Sequence, residues 1–94
     1  MDRPTFAEFE AAARREGYDE VVERTWEPGR EVAEHEHPFA VKALVVAGDM
    51  WLVERDRSRH LVPGDTFELP HSAPHAERYG AAGATYWAAR RNAR

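Results

Sequence analysis

Three histidines carry the strongest chemical signal in this sequence. His35 and His37 are separated by one residue, and His75 follows later, after a proline-rich loop. Residues two apart on a β-strand project from the same face, roughly 6.5–7 Å apart at the backbone, so two imidazoles can bind one ion. A third histidine on a neighbouring strand would complete a site with open positions. The sequence therefore predicts a divalent transition metal (Fe, Mn, Ni or Zn) bound by these three residues.

The composition restricts both the ligands of the metal and the partners of the protein. The 94 residues include no cysteine, so only His, Asp, Glu and water can bind a metal. The net charge of −4 argues against a nucleic-acid partner, because such partners require a basic surface. The longest apolar run, Ala43–Ala47, is too short to cross a bilayer, and the N-terminus has no apolar signal segment. We therefore expect a cytoplasmic protein with no nucleic-acid or membrane partner.

The length predicts a single domain over residues 1–94, which begins with an amphipathic helix over 1–17. Thr5 and Glu8 have the spacing of a capping box, in which each side chain binds the backbone of the other residue. Gly17 is a plausible end of the helix, because glycine readily adopts the left-handed conformation found there. The apolar side of the helix should pack on the rest of the domain.

Short strands with turn signals every 8–12 residues follow, and they predict an all-β sandwich or closed barrel over residues 19–91. We count about eight strands. Gly48-Asp49 reads as a hairpin turn between strands over Ala40–Ala47 and Met50–Arg55. The histidines would then lie on strands or at their ends, where a barrel can bring them together.

Two blocks of the sequence carry a more specific pattern of glycine, histidine and proline. The matching residues, in chain order, are Gly29, His35, His37, Gly48, Gly64, Pro70 and His75. Their order and spacing resemble the two motifs of the cupins, between about Trp26 and Tyr79, which is more than half of the chain. The resemblance implies a small single-domain cupin of the type-2, RmlC-like kind, with a jelly-roll barrel (a double-stranded β-helix). It also implies a metal held by the three histidines and by a glutamate of the first motif.

The sequence departs from the cupin pattern at that glutamate. Val41 or Lys42 occupies its position, depending on how the gap after His37 is counted. We favour Val41 as the inward residue, in possible contact with a ligand, because this keeps the lysine away from the metal. The chain then resembles the glutamate-lacking, three-histidine cupins. Three neutral imidazoles leave the full charge on the ion, which favours a small anionic or oxygen-donor ligand.

Three further side chains are candidates for the site. Glu77 and Tyr79 share strand parity with His75, so both are candidates for acid–base catalysis. Glu77 is alternatively a metal ligand, a partner that orients a histidine, or a solvent-facing residue. His71, in the loop before His75, is either a ligand contact at the barrel mouth or an exposed histidine.

The pattern is compatible with three kinds of function. The first is an enzyme, for which the resemblance to cupins suggests a dioxygenase or an isomerase, since an open metal site can act as a Lewis acid. Fold and motif do not fix the reaction. A non-catalytic protein that binds or senses a small molecule is the first alternative. A structural barrel with a vestigial metal site is the second. Family resemblance also implies a homodimer, with Leu44, Val46 and Trp51 as candidate interface residues that could equally pack under the helix.

Overall fold

The computed structural model describes residues 3–55 and 57–92, which form one helix and six strands. In chain order the elements are α1 (Phe6–Arg15), β1 (Glu20–Trp26), β2 (Glu31–His35), β3 (Phe39–Glu54), β4 (Arg57–Leu61), β5 (Thr66–Leu69) and β6 (His75–Asn92). Every strand pairing is antiparallel. The predicted all-β class with one short N-terminal helix is confirmed.

The two long strands β3 and β6 form the centre of the fold and pair along almost their whole lengths. At one end β1 pairs with the second half of β6, and β5 pairs with the first half of β3. At the other end β2 pairs with the first half of β6, and β4 pairs with the second half of β3. The two long strands therefore take part in two layers, with the orders β1-β6-β3-β5 and β2-β6-β3-β4, as a jelly roll requires.

The predicted hairpin at Gly48-Asp49 is wrong, because β3 runs without a break through this point. Register shifts occur between Val45 and Ala47 and again after Gly48, so the pairing with β6 bulges here. Gly48 and Gly83 both have positive φ values, and a Cβ on Gly48 would lie 2.0 Å from the Gly83 carbonyl oxygen. The glycines therefore serve a close approach of two bent strands rather than a turn. Six strands replace the expected eight, since β3 and β6 each join two predicted strands.

The N-terminal helix, predicted over residues 1–17, runs over Phe6–Arg15, and residues 1 and 2 lie outside the described part of the chain. The residues that cap it, Thr5 and Gly17, are the predicted ones. The Thr5 hydroxyl accepts from the Glu8 amide, and the Glu8 carboxylate accepts from the Thr5 amide. At the other end, Gly17 has a φ of 97°, and the Tyr18 amide donates to the Ala13 carbonyl. This is the 6→1 bond of a Schellman motif, which satisfies carbonyls left without partners inside the helix.

The helix packs across the outer face of the β1-β6-β3-β5 layer. The rings of Phe6 and Phe9 lie 5.5 and 5.9 Å from the ring of Trp87. The ammonium group of Lys42 lies 2.8 Å from the Glu16 carboxylate, just beyond the helix end. Lys42 therefore points toward the helix side of the layer. No helix in the described part of the chain is both long enough and apolar enough to cross a membrane.

The core lies between the two layers and is made mainly of alternate residues of the long strands, with Leu61 of β4 and Phe67 and Leu69 of β5. Val45, Met50, Leu52 and Tyr79 have the largest side chains that are almost completely buried. Toward one end of this core the side chains change from apolar to ionisable, with His75 and Glu77 both buried. The candidate site lies at this end.

Candidate metal centre

The three histidines predicted from the sequence lie together in the structure. His35 ends β2 and is the register partner of His75, which begins β6, and His37 follows β2 directly. One ring nitrogen from each residue lies within 4.8 Å of the other two. The Nε2 atoms of His35 and His37 are 3.2 Å apart. Strand pairing and the two-residue spacing thus bring three imidazoles to one point.

Backbone carbonyls fix the orientation of two of these rings. Nδ1 of His35 is 2.8 Å from the Ala33 oxygen, and Nδ1 of His75 is 2.9 Å from the Ala73 oxygen. A carbonyl can only accept, so Nδ1 carries a proton in both rings, and in the neutral ring the Nε2 lone pair remains available. Histidines that bind metals commonly donate their second ring N–H in this way.

Glu77 brings a carboxylate to the same point. Its side chain is 6% exposed, and its Oε2 lies 3.5 Å from Nε2 of His75 and 3.6 Å from Nε2 of His35. Two ligand atoms that are each about 2.1 Å from one ion lie roughly 3.0–3.4 Å apart for angles of about 90–109°. The Nε2 atoms of His35 and His37, 3.2 Å apart, fall within this range, and the two contacts of Glu77 lie just above it. The residues present fit a divalent metal.

The ionisation of these groups also suits a metal. Burial alone would raise the pKa of Glu77, but the interaction with His75 in its protonated form and the hydrogen bond from Tyr79 outweigh it, so the pKa is lowered and the group is anionic. Burial, together with the positive charges that His35 and His75 can carry, lowers the pKa of His37 and favours its neutral ring. Burial also opposes a charge on His75, but the contacts with Glu77 and the Ala73 carbonyl outweigh this and raise its pKa. A proton therefore competes for His75 more than for His37.

Tyr79 supports Glu77 from the interior. Its hydroxyl donates a short hydrogen bond to Glu77 Oε1, which leaves Oε2 directed at the histidines. Its ring stacks on Trp26 with centroids 5.2 Å apart, and the Trp26 indole N–H donates to the Tyr86 hydroxyl at 3.2 Å. Burial raises the pKa of Tyr79 well above its ordinary value, so the hydroxyl stays protonated. The structure thus gives Tyr79 a contact that positions the Glu77 carboxylate.

A cavity of about 40 Å³ adjoins His37, His75 and Glu77. Val41 lines it, whereas Lys42 lies on the other face of β3 with Glu16. A cavity needs about 10–15 Å³ of such volume to hold one water, so this cavity admits a group no larger than a few waters. Any larger ligand would have to extend out of the opening.

His71 does not line this cavity. It is exposed, and its Nδ1 lies 3.0 Å from the Ser72 hydroxyl. Ser72 occupies the position of the second-motif glycine with a φ of 61°, and its amide donates to the His37 carbonyl at 2.9 Å. The left-handed conformation explains why glycine is typical at this position.

Sequence reasoning missed two residues of the cavity lining, Arg24 and Arg90. Arg90 shares strand parity with Tyr86, and Arg24 shares it with Trp26, so parity could have marked both as inward-facing. Charged residues near strand ends are more often solvated, which concealed this signal.

No protein-family model and no curated protein sequence matches the chain, whereas many solved structures do. A chain from crystal structures of DMSP lyases has a TM-score of 0.72 at 30% identity over 78% of this protein. KdgF from Halomonas sp. has a TM-score of 0.70 at 23% identity, covering 79% of this protein and 69% of its own chain. An RmlC-like cupin from Shewanella frigidimarina has a TM-score of 0.69 at 23% identity, with 79% and 66% covered.

These structures show that the protein has the RmlC-like jelly-roll fold found in cupins, and the cluster of three histidines lies within this fold. The protein spans only 38% of the DMSP lyase chain that it matches. None of these three likenesses, by itself, assigns a reaction to this protein.

Proposed function

We propose that this protein is a metal-dependent cupin that binds a compact anionic or oxygen-donor ligand at a divalent transition metal. His35, His37 and His75 would hold the metal, and Glu77 would complete the set of protein ligands. The observation that carries the proposal is the convergence of three imidazoles, whose ring nitrogens lie within 4.8 Å of one another, with the Glu77 carboxylate, 3.5 Å from His75 and 3.6 Å from His35. Glu77 thereby takes the role of the missing motif glutamate from a different strand.

When bound, the metal would supply a Lewis acid that polarises an oxygen of the ligand. The chain's own residues determine the conditions for this chemistry. Glu77 offsets one positive charge, so the centre is less cationic than a three-histidine site would be. Tyr79 holds Glu77 in place, and the small size of the cavity limits the number of waters beside the metal ligands.

Dioxygenase and isomerase chemistry are the reactions that we propose for such a centre, and the likeness to DMSP lyases adds a lyase reaction. A specific observation favours binding without turnover as the second candidate. The Tyr79 hydroxyl is engaged by Glu77, and His71 lies outside the cavity lining, so neither is free to exchange protons with a ligand. The two candidates require the same metal and differ in what happens to the ligand.

Elemental analysis of protein purified without an affinity tag tests the metal centre. We expect about one divalent transition metal per chain in the wild type and in His60→Ala, and loss of the metal in His35→Ala. His60 is the matched control because its ring stacks on Trp51 and contacts Asp49, away from the cluster. Equal metal content in His35→Ala and the wild type would exclude the proposed ligands.

Turnover assays separate the two candidates. Protein loaded with Fe, Mn, Ni or Zn would be incubated with small carboxylates and diketones, with and without O2. Turnover that is lost in His35→Ala establishes an enzyme. Tight binding without any change in the ligand establishes the non-catalytic alternative.

A further inference from the structure

The cavity that adjoins the histidine cluster is also lined by the side chains of two arginines. Arg90 on β6 and Arg24 on β1 both border it, on the side of the layer that faces the metal ligands. Arg24 is the register partner of Tyr86, and paired residues of neighbouring strands point to the same face of the sheet. Because Tyr86 is buried in the core, the Arg24 side chain also lies on the inward face. Two permanent positive charges beside a metal site need an explanation, because they repel a divalent ion unless an anion lies between them.

Stacked rings connect Arg90 to the histidine cluster. The His37 ring stacks on Phe39 at 4.8 Å, and the Arg90 guanidinium lies over the same phenylalanine, 5.0 Å from its centroid. His37 and Arg90 therefore both contact Phe39, and all three residues line the same cavity.

Neither arginine is firmly neutralised by the protein. Arg24 rests on Trp26, 5.0 Å from the ring centroid, and forms no ion pair within residues 3–55 and 57–92. Arg90 has one carboxylate partner, Glu20 at 3.3 Å, and that glutamate side chain is 49% exposed. Exposed ion pairs of this kind are weak, so a ligand can compete with Glu20 for Arg90.

We propose that Arg24 and Arg90 form a carboxylate-binding subsite of this cavity. The proposal rests on the proposed function and narrows its ligand to a compact acid with a second oxygen donor. That second oxygen would enter the small cavity at the metal, while the carboxylate would lie at the opening between the guanidiniums. Arginine suits this position because its planar fork binds both oxygens of a carboxylate.

Isothermal titration calorimetry with malonate tests the subsite in zinc-loaded protein. Arg24→Gln and Arg90→Gln should each weaken malonate binding by about 10- to 100-fold, since a charge-assisted hydrogen bond is lost. Glu20→Gln should tighten it, because the competitor for Arg90 is removed. Arg78→Gln is the matched control, since Arg78 lies on the same strand over the ring of Trp51.

Two further measurements distinguish a failure of the proposed subsite from a failure of the proposed metal centre. Azide, which has no carboxylate for the arginine fork to bind, should lose much less affinity than malonate in Arg24→Gln and Arg90→Gln, and both variants should still bind one zinc per chain. Malonate affinities that match the Arg78→Gln control in both variants would overturn the subsite. If the wild type binds no zinc, the metal centre fails. The subsite then stands only if metal-free protein binds malonate and Arg24→Gln and Arg90→Gln reduce that binding.

Discussion

At the scale of single residues, the candidate centre depends on where Glu77 lies. A cupin normally places its glutamate on the strand after the first histidine pair, and this chain has Val41 or Lys42 there. The structure shows Val41 in the cavity lining and a carboxylate arriving two residues after His75 instead. Because the side chains of a strand alternate, His75 and Glu77 both point into the barrel. Glu77 on β6 therefore offers the one carboxylate that the cupin motif offers from the strand after the histidine pair.

Glu77→Gln should weaken metal binding by at least about tenfold, in the range seen when groups that support a metal site are removed. The amide oxygen can still accept from Tyr79, so we expect the fold to be kept. Glu36→Gln is the matched control, because Glu36 lies between the two histidines in sequence and its side chain is exposed. Competition with a chromogenic zinc chelator gives both affinities. Equal affinity in the two variants would show that the Glu77 carboxylate takes no part in binding.

Strand parity was enough to predict the inward position of Val41 and the shared face of His75 and Glu77. It did not show which of the three proposed roles Glu77 takes, since that depends on distances between strands. The two arginines were missed because they point inward at the opening of the cavity. In the sequence, charged residues at such an opening cannot be distinguished from charged residues at the solvated end of a strand. Side-chain identity and parity therefore predict the ligands better than they predict the surroundings of the ligands.

At the scale of elements, two long bent strands carry the site. β3 and β6 each pass from one layer to the other, and β6 carries His75 and Glu77 in one layer and Arg90 in the other. The sequence predicted a hairpin at the bend of β3 because Gly48-Asp49 is also a turn signal. Only the pairing of Gly48 with the neighbourhood of Gly83 distinguishes a bend from a hairpin. That information lies in a contact between distant parts of the chain.

Gly48→Ala should destabilise the protein severely or prevent folding, whereas Gly29→Ala should cost only about 1–2 kcal/mol. Both glycines have nearly equal φ values, 70° and 69°, so the backbone strain of alanine is the same. Only at Gly48 would the new Cβ meet backbone atoms, since nothing lies within 4 Å of the corresponding position at Gly29. Urea denaturation followed by circular dichroism measures both. Similar midpoints for the two variants would show that the strands do not approach as closely as described.

At the scale of the whole molecule, the expected homodimer stays a prediction. Leu44, one of the proposed interface residues, is 6% exposed and pairs with Trp87, which the helix covers. Trp51 contacts the His60 ring and the Arg78 guanidinium, at 4.2 and 4.4 Å from the ring centroid. Part of the proposed interface is therefore already used within one chain.

The metal should also act on the stability of the whole fold, because its ligands connect β2 to β6 across an irregular pairing. Zinc at about 100 times its dissociation constant adds about 2.7 kcal/mol if it binds only the folded state. For a domain of this size, about 4–8 °C per kcal/mol gives a rise in Tm of roughly 10–20 °C. Differential scanning calorimetry should show this rise in the wild type and in His60→Ala, and none in His75→Ala. An equal rise in His75→Ala would place the bound zinc outside the histidine cluster, and the link between β2 and β6 would not be its source.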